Sequence, residues 1–175
     1  VINEVMSNNV TSVTDASGKF EDWIELYNTT SSPISTSGLF LTDTLGIFQK
    51  WELPNQTIPA NGYAIIWADE DGSQGDMHAN FKLSNLGEQL ILTNADSVLI
   101  DSITYLAQAD DIAFARSPNG SGSFIMQVPT FNSNNDFVNS ITENKELIKV
   151  YPNPFSNIIQ WDSFESVEVR DLLGK

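Results

Sequence analysis

The sequence predicts an all-β protein built as a β-sandwich. Three observations carry that expectation. Short apolar or alternating runs recur along the chain, turns rich in Gly, Asn, Asp, Pro and Ser separate them, and no segment sustains a helical period. Many short strands punctuated by regular turn signals form the pattern of two packed sheets.

The strands are expected, in order, at residues 2–7, 23–28, 39–42, 50–53, 63–68, 89–93, 98–105, 112–116 and 123–128. In the second, alternation puts Trp23, Glu25 and Tyr27 on one face and Ile24 and Leu26 on the other. A carboxylate among apolar neighbours needs a hydrogen-bond partner, so Glu25 is expected to be paired within the framework. In the fourth, Trp51 and Leu53 alternate with Lys50 and Glu52, and Pro54, with no backbone donor, stops the strand. Pro59-Ala60-Asn61-Gly62 is turn chemistry, because Pro fixes φ and Asn-Gly tolerates positive φ. The following run, Tyr63 to Ala68, has no polar side-chain group but the Tyr63 hydroxyl and the Trp67 indole N–H. It suits a strand covered on both faces, or one that leaves an apolar face open to a partner.

Trp51, Leu53-Pro54, Ala60-Asn61-Gly62 and Ile66-Trp67-Ala68 occur in one frame. This order resembles the lamin tail domain, the immunoglobulin-like domain of nuclear lamins that also occurs in bacterial secreted proteins. The bacterial version is matched further by Ile2-Asn3-Glu4-Val5-Met6 and by Asp22-Trp23-Ile24-Glu25-Leu26-Tyr27-Asn28. His78-Ala79-Asn80-Phe81-Lys82-Leu83-Ser84, Gly87-Glu88, Arg116-Ser117-Pro118-Asn119-Gly120 and Pro129-Thr130 follow in the same order. The resemblance spans residues 1–135 and implies an immunoglobulin-like sandwich of the lamin-tail type.

Beyond Pro129 the composition changes. Asn132-Ser133-Asn134-Asn135-Asp136 is polar and low in complexity, Thr142-Glu143-Asn144-Lys145-Glu146 is charged, and both read as linker. The division expected is a domain at 1–135, a linker at 136–148 and a C-terminal piece at 149–175. Within that piece, Val150-Tyr151-Pro152-Asn153-Pro154-Phe155, Ile158-Ile159 and Val167 to Lys175 resemble the start of the C-terminal sorting domain of the type IX secretion system of Gram-negative bacteria. The later strands of that family are missing, so the resemblance implies a truncated domain, a short partial β appendage with unsatisfied sheet edges. It also implies an extracellular or outer-membrane surface location.

Composition narrows the function further. A chain of 175 residues that is 41% hydrophobic can bury a core. With no cysteine there are no disulfides, no thiol catalysis and no cysteine-ligated metal. A net charge of −15 repels a polyanion, and Lys19, Lys50, Lys82 and Arg116 are scattered rather than clustered, so no nucleic-acid role is expected. No apolar run is long enough to span a membrane. Val1 is not an initiator methionine, which implies that an upstream stretch has been removed.

Candidate sites are few. The loop Asp69-Glu70-Asp71-Gly72-Ser73-Gln74-Gly75-Asp76 offers Asp69, Asp71, Ser73 and Asp76 as oxygen ligands for calcium, although its spacing is not that of an EF-hand. The blander reading, a solvated inter-strand loop of an acidic protein, is the favoured one, since Asp-Gly turns are common. Asp15-Ala16-Ser17-Gly18-Lys19-Phe20-Glu21-Asp22 is a second acidic loop of the same kind. His78, the only histidine, cannot alone make a His-rich zinc site or a triad, and a structural hydrogen bond across the sandwich is expected of it. Tyr63 and Trp67 are the candidate ligand-binding aromatics, against a plain role in the core. Asp110-Asp111 do not form an acid/base pair, and no G-x-S-x-G, Walker or H-E-x-x-H motif is present. Asp43-Thr44-Leu45, Asp96-Ser97-Val98 and Asp101-Ser102-Ile103 resemble short bacterial O-glycosylation motifs.

The reading is a non-catalytic binding, adhesion or spacer module of a secreted, surface-attached bacterial protein, with a protein or carbohydrate ligand and a catalytic domain elsewhere in the full chain. It needs no cofactor. A calcium-binding module is the alternative, and a hydrolase in its own right is a third.

Overall fold

In the computed structural model, residues 1–136 are described. The expected linker beyond Asp136 and the expected sorting segment at 149–175 lie outside them. Eleven strands run in the order β1 (Ile2–Met6), β2 (Trp23–Tyr27), β3 (Ile34–Ser35), β4 (Leu39–Thr42), β5 (Trp51–Glu52), β6 (Thr57–Ile58), β7 (Tyr63–Trp67), β8 (Gly87–Asn94), β9 (Leu99–Leu106), β10 (Ala113–Ser117) and β11 (Ser123–Gln127). Every strand read from the sequence is present, with ends shifted by a residue or two. Only β3 and β6, two residues each, carry no legible period. Among the described residues no helix is long and apolar enough to cross a membrane.

All ladders between these strands are antiparallel. One sheet has the order β11-β10-β1-β2-β7, a second has β5-β4-β8-β9, and β3 and β6 pair separately. The two larger sheets pack face to face as an immunoglobulin-like sandwich. Ile2, Val5, Ile24, Leu26 and Ile66 from the five-stranded sheet meet Leu41, Leu90, Leu92, Ile103 and Tyr105 from the four-stranded one. The turn at Pro59 to Gly62 forms as its residues dictate: Gly62 N–H donates to the Pro59 carbonyl at 3.0 Å, and Asn61 takes φ +52°.

The five-stranded sheet is covered on its other face too. Trp23 and Met6 are buried there with Ala113, and Ile65, Trp67 and Phe131 pack against them. Ile24 and Leu26 face the sandwich core. The alternation read from residues 23–28 is therefore realised, but the face carrying Trp23 and Glu25 is closed rather than open.

The cover is residues 129–136. The Phe131 ring stands edge-on to Trp23 with centroids 5.1 Å apart and lies 5.7 Å from Trp67. Asn135 is fully buried, and its side chain donates to the Asn3 carbonyl at 3.0 Å. Asn132 to Asp136, expected from composition to be linker, is thus part of the folded domain. A polar stretch can pack here because buried backbone and carboxylate groups beneath it need partners, not apolar area.

One ion pair crosses between the large sheets. Arg116 on β10 donates to both Asp101 oxygens on β9 at 3.0 and 3.1 Å, to the Ile2 carbonyl at 2.8 Å and to the Gly122 carbonyl at 3.0 Å. Asp101 also accepts from the Ile2 N–H at 2.8 Å, so one guanidinium–carboxylate unit closes the end of the sandwich.

Candidate functional site

Two places gather ionisable side chains away from solvent. The first lies under residues 129–136. Glu4 and Glu25 are direct partners across β1 and β2, just after a register shift that leaves Asn3 as the extra residue. Both are fully buried. Each carboxylate oxygen accepts one hydrogen bond from the chain. Glu4 takes the Thr130 N–H at 2.9 Å and the Thr130 hydroxyl at 2.7 Å. Glu25 takes the Asn3 amide at 2.8 Å and the Asn132 N–H at 2.7 Å. The pairing expected for Glu25 exists, with one partner 22 residues away and the other 107.

Burial dominates the titration of this pair. Desolvation raises Glu25 to about 7, with the Glu4 charge adding to the rise and the Asn3 and Asn132 bonds opposing it. Desolvation raises Glu4 as well, against the two Thr130 bonds. Two close acids with raised pKa values are a pattern seen in catalytic sites. Here, however, every oxygen is engaged by the framework and neither residue reaches solvent, so the pair serves to anchor residues 129–136 to the sheet.

The second place joins the two acidic loops noted in the sequence. A carboxylate oxygen of Asp15, one of Asp69 and a ring nitrogen of His78 lie within 4.8 Å of one another, and all three residues are buried. It is the one such triple of acid or imidazole groups among the described residues. Asp69 follows the end of β7. His78 reaches it because residues 77–79 run alongside Trp67: Trp67 N–H donates to the Met77 carbonyl at 2.9 Å, and Ala79 N–H donates to the Trp67 carbonyl at 2.7 Å. His78 Nδ1 sits 2.8 Å from Asp69 Oδ2. The histidine's hydrogen bond is therefore local to its own loop and does not cross the sandwich.

Asp15 arrives from the loop between β1 and β2. Its Oδ1 accepts the Ser17 and Lys19 N–H groups at 2.9 and 2.8 Å, while Oδ2 is buried with no hydrogen-bond partner. Gln74 completes the group. Its amide nitrogen donates to Asp69 Oδ2 at 3.1 Å and to Asp71 Oδ2 at 2.9 Å, and its carbonyl oxygen is also buried without a partner.

The calcium set read from the sequence is only partly drawn together. Asp69 and Asp71 are linked through Gln74. Ser73 turns its hydroxyl and N–H onto Asp71 Oδ1, and Asp76 is exposed. Among the described residues, Asp69, Asp71 and Asp76 do not converge as Asp15, Asp69 and His78 do. Composition singled out the loop that carries Asp69. The partner from the other loop, brought by the fold, could not be paired with it from spacing alone.

Tyr63 and Trp67 share the outer face of β7 but sit in different surroundings. Tyr63 packs on Tyr27 with centroids 4.9 Å apart, and its hydroxyl takes the Asn119 amide at 3.2 Å. Trp67 lies between Phe131 and His78, whose ring stacks on it at 6.4 Å. Tyr27, Tyr63 and Trp67 are all partly exposed, and Trp67 also packs against the buried Met6, Trp23 and Ala113 group. Asp110 and Asp111 clip the loop after β1: Asp110 accepts from the Asn8 amide at 2.7 Å, and Asp111 accepts the Val10 and Thr11 N–H groups at 2.8 and 2.9 Å.

Comparison with known proteins adds one match. The family model described as Lamin Tail Domain fits residues 1–107. No curated protein and no solved structure matches the chain.

Proposed function

The chain belongs to the lamin tail domain family, whose immunoglobulin-like domains are non-catalytic modules, and from that premise we propose that it is a binding or spacer module accompanying a catalytic domain of a larger protein. The observation that carries this is the state of the buried acids. Glu4 and Glu25, the pair most like an acid/base couple, are fully occupied in holding residues 129–136 on the sheet. What the sheet offers outward is instead the partly exposed Tyr27–Tyr63 pair. Paired aromatic faces suit a sugar ring or an aromatic side chain of a protein.

The setting we propose is the surface of a Gram-negative bacterium. Its support is the resemblance of Tyr151-Pro152-Asn153-Pro154 and of Asp171 to Lys175 to a type IX sorting domain, together with the absence of cysteine and the net charge of −15. Such a charge disfavours nucleic acid as partner.

A glycan array and pull-downs with the 175-residue chain and its Tyr63→Ala variant test the binding role. Capture of a glycan or protein that is lost in Tyr63→Ala supports it. Absence of any ligand leaves the spacer role, and turnover of a glycoside substrate overturns the non-catalytic reading. Labelling of intact cells that produce the full-length protein tests the location, and a signal confined to permeabilised cells contradicts it.

A further inference from the structure

We propose that Asp15, Asp69 and His78 form a binding site for a divalent transition-metal cation of the Zn²⁺ class. The inference is independent of the binding role given to Tyr63. It rests on the way two loops distant in sequence bring two carboxylates and the only histidine together in a buried place.

Charge is the first argument. Asp15 and Asp69 are each 6% exposed, and His78 is 7% exposed. Two carboxylates held close together away from water repel each other and lose hydration, and the cost falls when a cation lies between them. His78 contacts Asp69 alone among the two. Among the described residues, the hydrogen bonds to the Asp15 side chain come from the Ser17 and Lys19 N–H groups, both on Oδ1. Oδ2 has none.

The unsatisfied acceptors are the second, independent argument. Buried polar atoms are nearly always paired, and each exception calls for a cause. Asp15 Oδ2 and Gln74 Oε1 are two of the few buried side-chain atoms here without a partner. Gln74 is tied to this place because its amide nitrogen donates to Asp69 Oδ2. Both unpaired atoms are acceptors, which calls for a cation or a donor rather than an anion.

Geometry and ligand type select the cation. A tetrahedral Zn²⁺ with bonds of about 2.0–2.1 Å keeps its ligand atoms roughly 3.3 Å apart. That spacing falls between the 2.8 Å separating His78 Nδ1 from Asp69 Oδ2 and the 4.8 Å that bounds the triple. Imidazole with carboxylates suits Zn²⁺ and its neighbours, whereas Ca²⁺ takes six to eight oxygens and no imidazole. Asp15, Asp69 and His78 would supply three ligands, and Gln74 Oε1 or water the fourth. The role is structural: one ion would tie the loop after β1 to the loop after β7.

Calorimetric titration of the chelator-treated full chain with ZnCl₂, and separately with CaCl₂, tests the site. Saturable 1:1 binding of Zn²⁺ is expected, at least tenfold weaker in Asp15→Asn, with little response to Ca²⁺. The His78 ring signals in ¹H–¹⁵N NMR read ligation directly and need no variant, so a failure of Asp15→Asn to fold leaves the test intact. A shift of those signals at one equivalent of Zn²⁺ supports the site. Unmoved His78 signals, or Zn²⁺ binding of equal strength in a folded Asp15→Asn variant, overturn it.

Discussion

Glu4 and Glu25 face each other across two hydrogen-bonded strands, fully buried, and the chain returns more than a hundred residues later to place Thr130 on one and Asn132 on the other. Like charges directly opposite on a sheet destabilise it. The arrangement holds because the four carboxylate oxygens are each hydrogen-bonded and because burial favours protonation of the pair.

That relationship sets a pH dependence. The ordinary value for Glu25 is 4.5, and burial raises it to about 7. Between these two values the folded chain keeps a proton that the unfolded chain has lost, so stability falls as pH rises through the window and levels off above it. A difference of this size corresponds to about 3 kcal/mol at most. Asp22, raised by burial to about 6, works in the same direction over a narrower span. Melting temperature is expected to fall from pH 5 to pH 7.5, and Glu25→Gln is expected to flatten that fall. An unchanged slope in Glu25→Gln would assign the effect to other groups.

Removing the Phe131 ring tests the cover over the sheet. Phe131→Ala forfeits the edge-on contact with Trp23 and the contact with Trp67. Because Phe131 is only partly buried, the cost is expected at about 1–3 kcal/mol, below that of a core Phe. Urea denaturation measures the loss. The tryptophan emission of the folded variant is expected to shift to the red as Trp67 becomes wetter.

Arg116→Lys probes the link between sheets. Lysine keeps the charge toward Asp101 but cannot also reach the Ile2 and Gly122 carbonyls in the planar fork that arginine uses. The expected loss is about 1–3 kcal/mol by denaturant unfolding. A cost that vanished in high salt would mean that simple charge attraction, not the multiple hydrogen bonds, holds the sheets there.

Gly120→Ala probes close packing beside Asn3, the side chain that donates to Glu25. Gly120 has φ +71°, and a Cβ added there would stand 2.5 Å from the Tyr27 ring. Its N–H also donates to Asn3 at 2.8 Å, so the backbone has little room to shift. A loss of about 2 kcal/mol or more is expected in thermal or denaturant unfolding. Rotation of Tyr27 away from Tyr63 should accompany it, visible as shifted aromatic proton resonances.

The framework was legible because most strands announce themselves by alternation or by a continuous apolar run, as in Trp23 to Tyr27 and Tyr63 to Trp67. Strands β3 and β6 were not, since their two residues show no period and, unlike those of β5, no alternating neighbours extend them. For residues 129–136 the two signals diverged: the resemblance carried the domain to 135, while composition read 132–136 as linker. Their contribution is hydrogen bonding to acids far away in the chain, and Asn and Ser in a row look the same in a linker as in a packed cover. The acidic loop after β7 was visible as a ligand-rich stretch. Its meeting with Asp15 depends on tertiary structure, and nothing in the stretch between Asp15 and Asp69 signals it. The resemblance to the lamin tail domain placed Gly87-Glu88 in a motif, and the structure supplies the physical reason: Glu88 accepts from both the Ser84 N–H and the Tyr105 hydroxyl at 2.8 Å.

The carboxyl carbon of Glu25, followed by ¹³C NMR through a pH titration of the folded chain, reports most directly on whether this acid is a buried framework group. A midpoint near 7 is expected, with the Asn132 amide proton shifting in step because it donates to the same carboxylate. A midpoint near the ordinary value of 4.5, with the Asn132 amide unmoved, would mean that residues 129–136 do not seal the sheet and that Glu25 is open to solvent and to substrate.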